Sequence, residues 1–385
     1  MARDGTMKIY LDNSATTQPL PEVVEAMTRT LTHYPGNPSS GHSNGRDARR
    51  LLEEARQHVA GFLAVEAEQV VFVSGATEAN HAVLRQAREN PDLRLISTAG
   101  EHPATHGVFA NSPERISLVP VDSEGRIDLE ALDKELRVDG PALVAIGWVS
   151  GETGVVQPVN EICDLARARG KRTLIDGAQA TGRLPRREFV VPCDYLTVSA
   201  HKMGGPQGVG ALVLRPEIRC PGMAVGGGQE AGCRSGTENL PGIAGFGAAC
   251  ERRGRNPESD LRRIEAMRDR LEKTLRESGL PVRINGGGTR RVPTNTNVMF
   301  EHVDGMALVA RCDAAGVVFS QVSACSTGLP RPSRALTAMG LSEKAAYSSV
   351  RLSLSVQNRE EDIDKAAGVI LREARKLMCF FGSCA

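Results

Sequence analysis

The stretch TVSAHKMGGPQGVGAL places Lys202 where a β-branched apolar run stops and a glycine-rich turn begins. A solvated surface lysine needs no such setting, whereas a lysine that reaches into a pocket and holds a covalent adduct does. A second strand end, LIDGAQ, leaves Asp176 after an apolar run with Gln179 three residues on. A carboxylate there must pair with a cation, because an unpaired buried charge is strongly unfavourable. A third, VSGATEANHAV, joins a strand to a helix through Ser74, Gly75, Ala76 and Thr77. Free amides and the dipole make such a helix start a natural phosphate seat. Each feature has a plainer reading: a surface lysine, a turn carboxylate, an ordinary helix cap. Together, in this order, they describe a pyridoxal 5'-phosphate (PLP) site, in which the lysine forms the Schiff base, the Asp holds the pyridinium proton and the helix start binds phosphate.

The elements that must position these residues follow from the pattern. VVFVS, RLISTAG, ALVAIGWVS, RTLIDGAQ and YLTVSAHK are short β-rich runs, and amphipathic stretches such as TEANHAVLRQARE and EICDLARARG alternate with them. Such alternation predicts an α/β fold with a mostly parallel sheet between helices. Ligands in such folds gather at the carboxyl ends of the strands. After the glycine-rich AVGGGQEAGCRSGT, a long helix is expected with Leu261, Ile264, Leu271 and Leu275 on one face and Gly279 past its end. The remainder, including NTNVMF, VVFSQ, SSVRLSLS and EEDIDKAAGVILREARKL, reads as a smaller α/β unit. The expected division is a large cofactor-binding domain over residues 18–257, with 1–17 and 258–385 forming the small domain.

The chain has 385 residues, 41% hydrophobic and 24% charged, as a globular enzyme of one large and one smaller domain would. A net charge of +1 leaves no electrostatic footprint for nucleic acid or an anionic membrane. The longest early apolar run, IYL, offers neither a secretory core nor a membrane span. Nine cysteines without a CxxC pair argue against a zinc site or a disulfide framework and suit the cytoplasm. No metal site is expected. A nicotinamide site is disfavoured, since no G-x-G-x-x-G follows an early strand.

The motifs YLDNSATTQPLPEV, GNPSSGHSNGRDAR, SGATEANH, EHPATHGV, GETGVVQP, DGAQATG, SAHKMGGPQGVGAL, RSGTEN, SACSTG and SSVRLSLS run in order along nearly the whole chain. As a set they resemble the cysteine desulfurases of the NifS/IscS type, fold-type-I PLP enzymes of the class-V aminotransferase family. The resemblance implies that Lys202 is the Schiff-base lysine, Asp176 the partner of the pyridine nitrogen, and Gln179 the partner of the ring hydroxyl. It makes His102 the residue that stacks on the ring and exchanges protons. Gly75, Ala76, Thr77, Ser199 and His201 would hold the phosphate. Thr237 would reach the phosphate of a neighbouring subunit, which implies a homodimer. Arg351 would clamp the substrate carboxylate, a bidentate task suited to guanidinium, and Asn37 belongs to the substrate-side loop.

The same resemblance makes Cys325 the nucleophile. It sits in VSACSTGLPRPSRALTAMGL, a Ser/Gly/Pro-bearing stretch that reads as an exposed loop, whereas Cys163 and Cys250 read as buried structural residues. The implied reaction takes L-cysteine to L-alanine, with sulfur held as a persulfide on Cys325 and passed to an acceptor. Iron–sulfur scaffolds, tRNA- or DNA-thiolation proteins and sulfur carriers are the acceptor classes. Competing readings are a selenocysteine lyase or another fold-type-I PLP enzyme, and a non-catalytic scaffold of the same fold. One departure stands out: where the family carries an Asn pair before its Glu-x-Gly, this chain has Ser150 and Gly151. The lost amide lies close to the cofactor ring, and Ser150 is the nearest replacement in sequence. In the tail LMCFFGSCA, Cys379 and Cys384 read as incidental rather than as a sulfur relay.

Overall fold

The computed structural model describes residues 8–255, 257–321 and 331–380, the last without its side chain. In chain order the strands are β1 (Ile9–Tyr10), β2 (Val70–Val73), β3 (Arg94–Thr98), β4 (Ile116–Val119), β5 (Ala142–Gly147), β6 (Arg172–Asp176) and β7 (Tyr195–Ser199). They continue with β8 (Gly210–Leu214), β9 (Val282–Asn285), β10 (Asn295–Phe300), β11 (Val317–Val318), β12 (Ser320–Gln321) and β13 (Ser349–Ser353). Seven of them form one sheet in the order β2-β8-β7-β6-β5-β3-β4. Only β8 runs against its neighbours there.

The central strands are buried on both faces, as continuous Val/Ile/Leu runs require. One face packs on Ala79, Val83 and Leu84 of the helix Ala76–Glu89, with Leu95, Leu143, Leu174 and Leu212 beneath. The other meets the helices Pro21–His33, Ser43–Leu63 and Leu240–Arg255 through Val23, Leu52, Phe62, Ile243 and Phe246. Trp148 and Phe189 close that core edge to face, with ring centroids 5.1 Å apart.

A second, antiparallel sheet has the order β12-β13-β10-β9. The helices Pro257–Arg276, Gly305–Ala314 and Glu360–Phe380 pack with it around Ile264, Leu271, Leu275, Val298, Leu352 and Ile370. The long helix bears the apolar face expected of it, and Gly279 beyond its end has φ 78°. Residues 9–11 belong here too. Strand β1 pairs in parallel with β11, and Leu11 lies in the second core.

Candidate active site

Every parallel strand of the large sheet ends at one edge, and the loops there carry the polar residues. Asp176 is the last residue of β6 and Ser199 the last of β7. Asp176 accepts from the Ala178 amide at 2.9 Å and from Asn80 Nδ2 at 2.7 Å. Asn80 is buried on the helix Ala76–Glu89 and accepts in turn from Thr197 Oγ1 at 3.0 Å. Helix, β6 and β7 thus fix one carboxylate.

The same helix starts at Gly75, which has no side chain to cap it. Its φ of 157° and ψ of 175° suit glycine, and β8 passes close by. A Cβ on Gly210 would lie 2.3 Å from the Val198 carbonyl oxygen and 2.8 Å from Gly75 Cα. The Ala76 amide donates to Ser199 Oγ at 2.9 Å, and Thr77 stands exposed at the helix start. His201 follows Ser199 in a short 3-10 turn, with Nδ1 3.2 Å from Thr16 Oγ1. Desolvation, helped by Lys202 and Arg183, pushes its pKa down to about 4, so the ring is neutral.

His102 caps the turn Pro103–His106, its Nδ1 accepting from the Ala104 amide at 3.1 Å. The neutral ring therefore carries its hydrogen on Nε2. One side of the ring reaches solvent, yet the protein around it lowers its pKa by desolvation, with Asp176 opposing and Lys202 adding to the shift. Glu101 lies beside it, accepting from Thr98 Oγ1 at 2.9 Å and the Gly147 amide at 2.7 Å. Burial pushes its carboxyl up to about 7, against those two bonds and with Asp176 adding to the rise.

Arg351 reaches this edge from β13. Its Nη2 donates to Asp12 Oδ1 at 2.7 Å and its Nη1 to the Gly151 carbonyl at 3.1 Å, while Nε is buried without a partner. Asp12 also accepts from Ser320 Oγ at 2.6 Å. A carboxylate of the chain itself thus occupies one arm of the expected carboxylate clamp.

A family model for class-V aminotransferases matches residues 9–366. A cysteine desulfurase of Nostoc sp. is 38% identical over 367 residues, 94% of this chain and 92% of that one. Another, from Klebsiella pneumoniae, is 39% identical over 93% of this chain and 90% of its own. The structure of a NifS-like protein from Rickettsia africae superposes with a TM-score of 0.85 at 30% identity, covering 97% of this chain and 99% of that one. The chain belongs to the cysteine desulfurase family of class-V aminotransferases.

That family is PLP-dependent, and the donor set fits the group. An uncapped helix start beside Ser199, Thr77 and neutral His201 suits a phosphate; a strand-end carboxylate held by Asn80 suits a ring nitrogen; Lys202 lies within electrostatic reach of His102. Gln179 donates from Nε2 to the Ser14 carbonyl at 3.1 Å and accepts from Arg183 Nη1 at 2.6 Å. The family's missing amide at Gly151 is met by this side chain. A Cβ on Gly151 would lie 3.0 Å from Gln179 Nε2, and the φ of Gly151 is not positive. Ser150, the nearest replacement in sequence, accepts from the Glu152 and Thr153 amides, each at 3.3 Å, and is spent on its own turn.

Other family positions are placed elsewhere. Asn37 closes its own turn, accepting from the Ser39 amide at 2.8 Å. Thr237 is exposed after the 3-10 turn Gln229–Gly232, and nearby Arg234 pairs with Glu78 on the helix Ala76–Glu89. Cys325 and Cys384 lie outside the described residues. Cys379 is an exposed position of the helix Glu360–Phe380. Cys163 and Cys250 are buried, and desolvation raises both thiols, Cys163 to about 12. Asn80, Glu101, Asp12 and Arg183 escaped the sequence reading. For Asn80 the signal was available: it shares the buried face of Ala76, Ala79 and Val83, where an amide needs a partner.

Proposed function

We propose that this chain is a PLP-dependent cysteine desulfurase that converts L-cysteine to L-alanine and hands the sulfur, through Cys325, to an acceptor protein. The observation that carries the reading is Asp176, fixed by Asn80 and Ala178 at a strand end and close enough to His102 to bias its protonation. Lys202 would carry the cofactor, Asp176 its ring nitrogen and Gln179 its ring hydroxyl. The helix start at Gly75, Ala76 and Thr77, with Ser199, His201 and the Thr77 hydroxyl, would hold the phosphate, and Thr237 would complete that seat across a homodimer.

Bound there, PLP supplies an electron sink that acidifies the substrate's Cα–H. Lys202 would be the base that takes this proton. His102, neutral with its hydrogen on Nε2, is a donor within electrostatic reach of Asp176 and Lys202 rather than a fixed charge. Arg351 orients the substrate carboxylate, which must share the guanidinium with Asp12. The Cys325 thiolate attacks the substrate sulfur: an S–S bond forms, the Cβ–S bond breaks, and its electron pair leaves with the three-carbon fragment, which gains protons to become alanine. Thiol chemistry of this kind suits a reducing cytoplasm.

The test is product analysis. Wild type incubated with L-cysteine and a reducing thiol should form alanine and sulfide in equal amounts. Cys325→Ala should keep the cofactor's absorption and its response to cysteine while sulfide release falls at least a hundredfold. Wild-type turnover by that variant would remove Cys325 from the mechanism.

A further inference from the structure

Arg183 takes no part in the roles above, yet it is a buried cation, 2% exposed, directly behind them. Its Nη1 donates to Gln179 Oε1 at 2.6 Å, Ser14 Oγ at 2.9 Å and Asn295 Oδ1 at 3.2 Å. Its Nη2 donates to the Asn13 carbonyl at 2.7 Å and the Lys202 carbonyl at 3.3 Å. All these acceptors are neutral oxygens. Desolvation lowers its pKa to about 9, with Arg351 and Arg253 adding to the fall and Asp12 opposing it. Burying a charge on neutral partners is costly, and a structural strut would do better with an apolar side chain or an ion pair.

The bonds themselves say what the charge is for. Arg183 is a donor only, so Gln179 must turn Oε1 toward it and Nε2 away. Nε2 donates to the Ser14 carbonyl and lies 3.0 Å from where a Gly151 Cβ would stand. The guanidinium also holds the carbonyl of the residue that would carry the cofactor. We infer that Arg183 is a positioning residue for the cofactor: it aligns Gln179 as a donor to the ring hydroxyl and places positive charge behind that oxygen, in the absence of a side chain at Gly151. The inference rests on the cofactor reading above. A cation there favours the ionised ring oxygen and disfavours added positive charge at the neighbouring lysine linkage.

The measurement is the midpoint pH of the change in the cofactor's visible absorption, taken on the holoenzyme alongside cofactor retention on dialysis and thermal stability. Arg183→Gln keeps a hydrogen-bonding side chain but removes the charge. It should raise the midpoint by about one pH unit and speed cofactor loss several-fold. Arg183→Lys restores the charge without the fork and should return the midpoint to within a few tenths of wild type. A lowered melting temperature with an unmoved midpoint in Arg183→Gln would make the guanidinium a strut and overturn the inference. Should the glutamine variant not fold, the lysine variant decides: a midpoint displaced by a full unit despite the retained cation also overturns it. A wild type without any cofactor band would instead overturn the cofactor reading, and this inference with it.

Discussion

At the scale of single residues, Gly151 shows how a departure from a family pattern is resolved by a neighbour that sequence order hides. Read along the chain, the gap left by the missing amide points to Ser150; in space, Gln179 stands against it. Its amide is pinned on both sides, by Arg183 and by the Ser14 carbonyl, so it cannot give way cheaply. Gly151→Asn is therefore expected to weaken cofactor retention rather than restore a family contact. Overpacking of this kind costs about 1–3 kcal/mol, or roughly tenfold or more in affinity. Titration of apo protein with PLP measures it, and tighter binding by the variant would show that Gln179 yields. Lys202, Asp176 and Ser199 were legible because each ends an apolar run, a local signal. Asp12 was not, because its partners Ser320 and Arg351 lie 308 and 339 residues away; nor was Arg183, whose bonds to Ser14 and Asn295 span 169 and 112 residues.

At the scale of elements, the strands of the large sheet that carry the site were readable from their Val/Ile/Leu runs, and the edge that holds the site follows from their direction. Strand β4 was not, since its burial pattern is mostly open and it lies at the sheet margin. Nor was the tie between two strand ends. Glu101, after β3, binds the amide of Gly147 at the end of β5, and a Cβ on Gly147 would lie 2.8 Å from its Oε2. With a carboxyl raised to about 7 in the fold, the folded chain binds a proton that the unfolded chain has already released. That contribution is complete below the ordinary carboxyl range near 4.5 and is lost as pH climbs through 7. Glu101→Gln can offer Oε1 to Gly147 and Nε2 to Thr98 Oγ1 without titrating. Between pH 5 and pH 8, wild type should lose on the order of 2 kcal/mol more stability than this variant. Denaturant unfolding at the two pH values tests it; parallel losses would place the proton elsewhere.

At the scale of the whole molecule, one guanidinium joins three distant parts of the chain. Arg351, on β13, binds Asp12 from the first residues and the carbonyl of Gly151 from the large sheet. Arg351→Lys keeps the charge but cannot reach both partners at once. It should raise the KM for cysteine about tenfold, the value of one lost charge-assisted bond, leave the cofactor spectrum unchanged and lower the melting temperature by a few degrees. Unaltered kinetics would mean that the carboxylate is held elsewhere.

The pairing of β1 with β11, and of Asp12 with Ser320 and Arg351, also sets a timetable for synthesis. Asp12 meets neither of these side chains until some 308 more residues have been added, which at cellular elongation rates takes roughly 15–60 s. The large sheet can close while the ribosome is still at work, because its strands lie between Val70 and Leu214. The pair of Arg351 and Asp12 cannot. A nascent chain can therefore close the sheet that carries Asp176 and Ser199 before Arg351 meets Asp12.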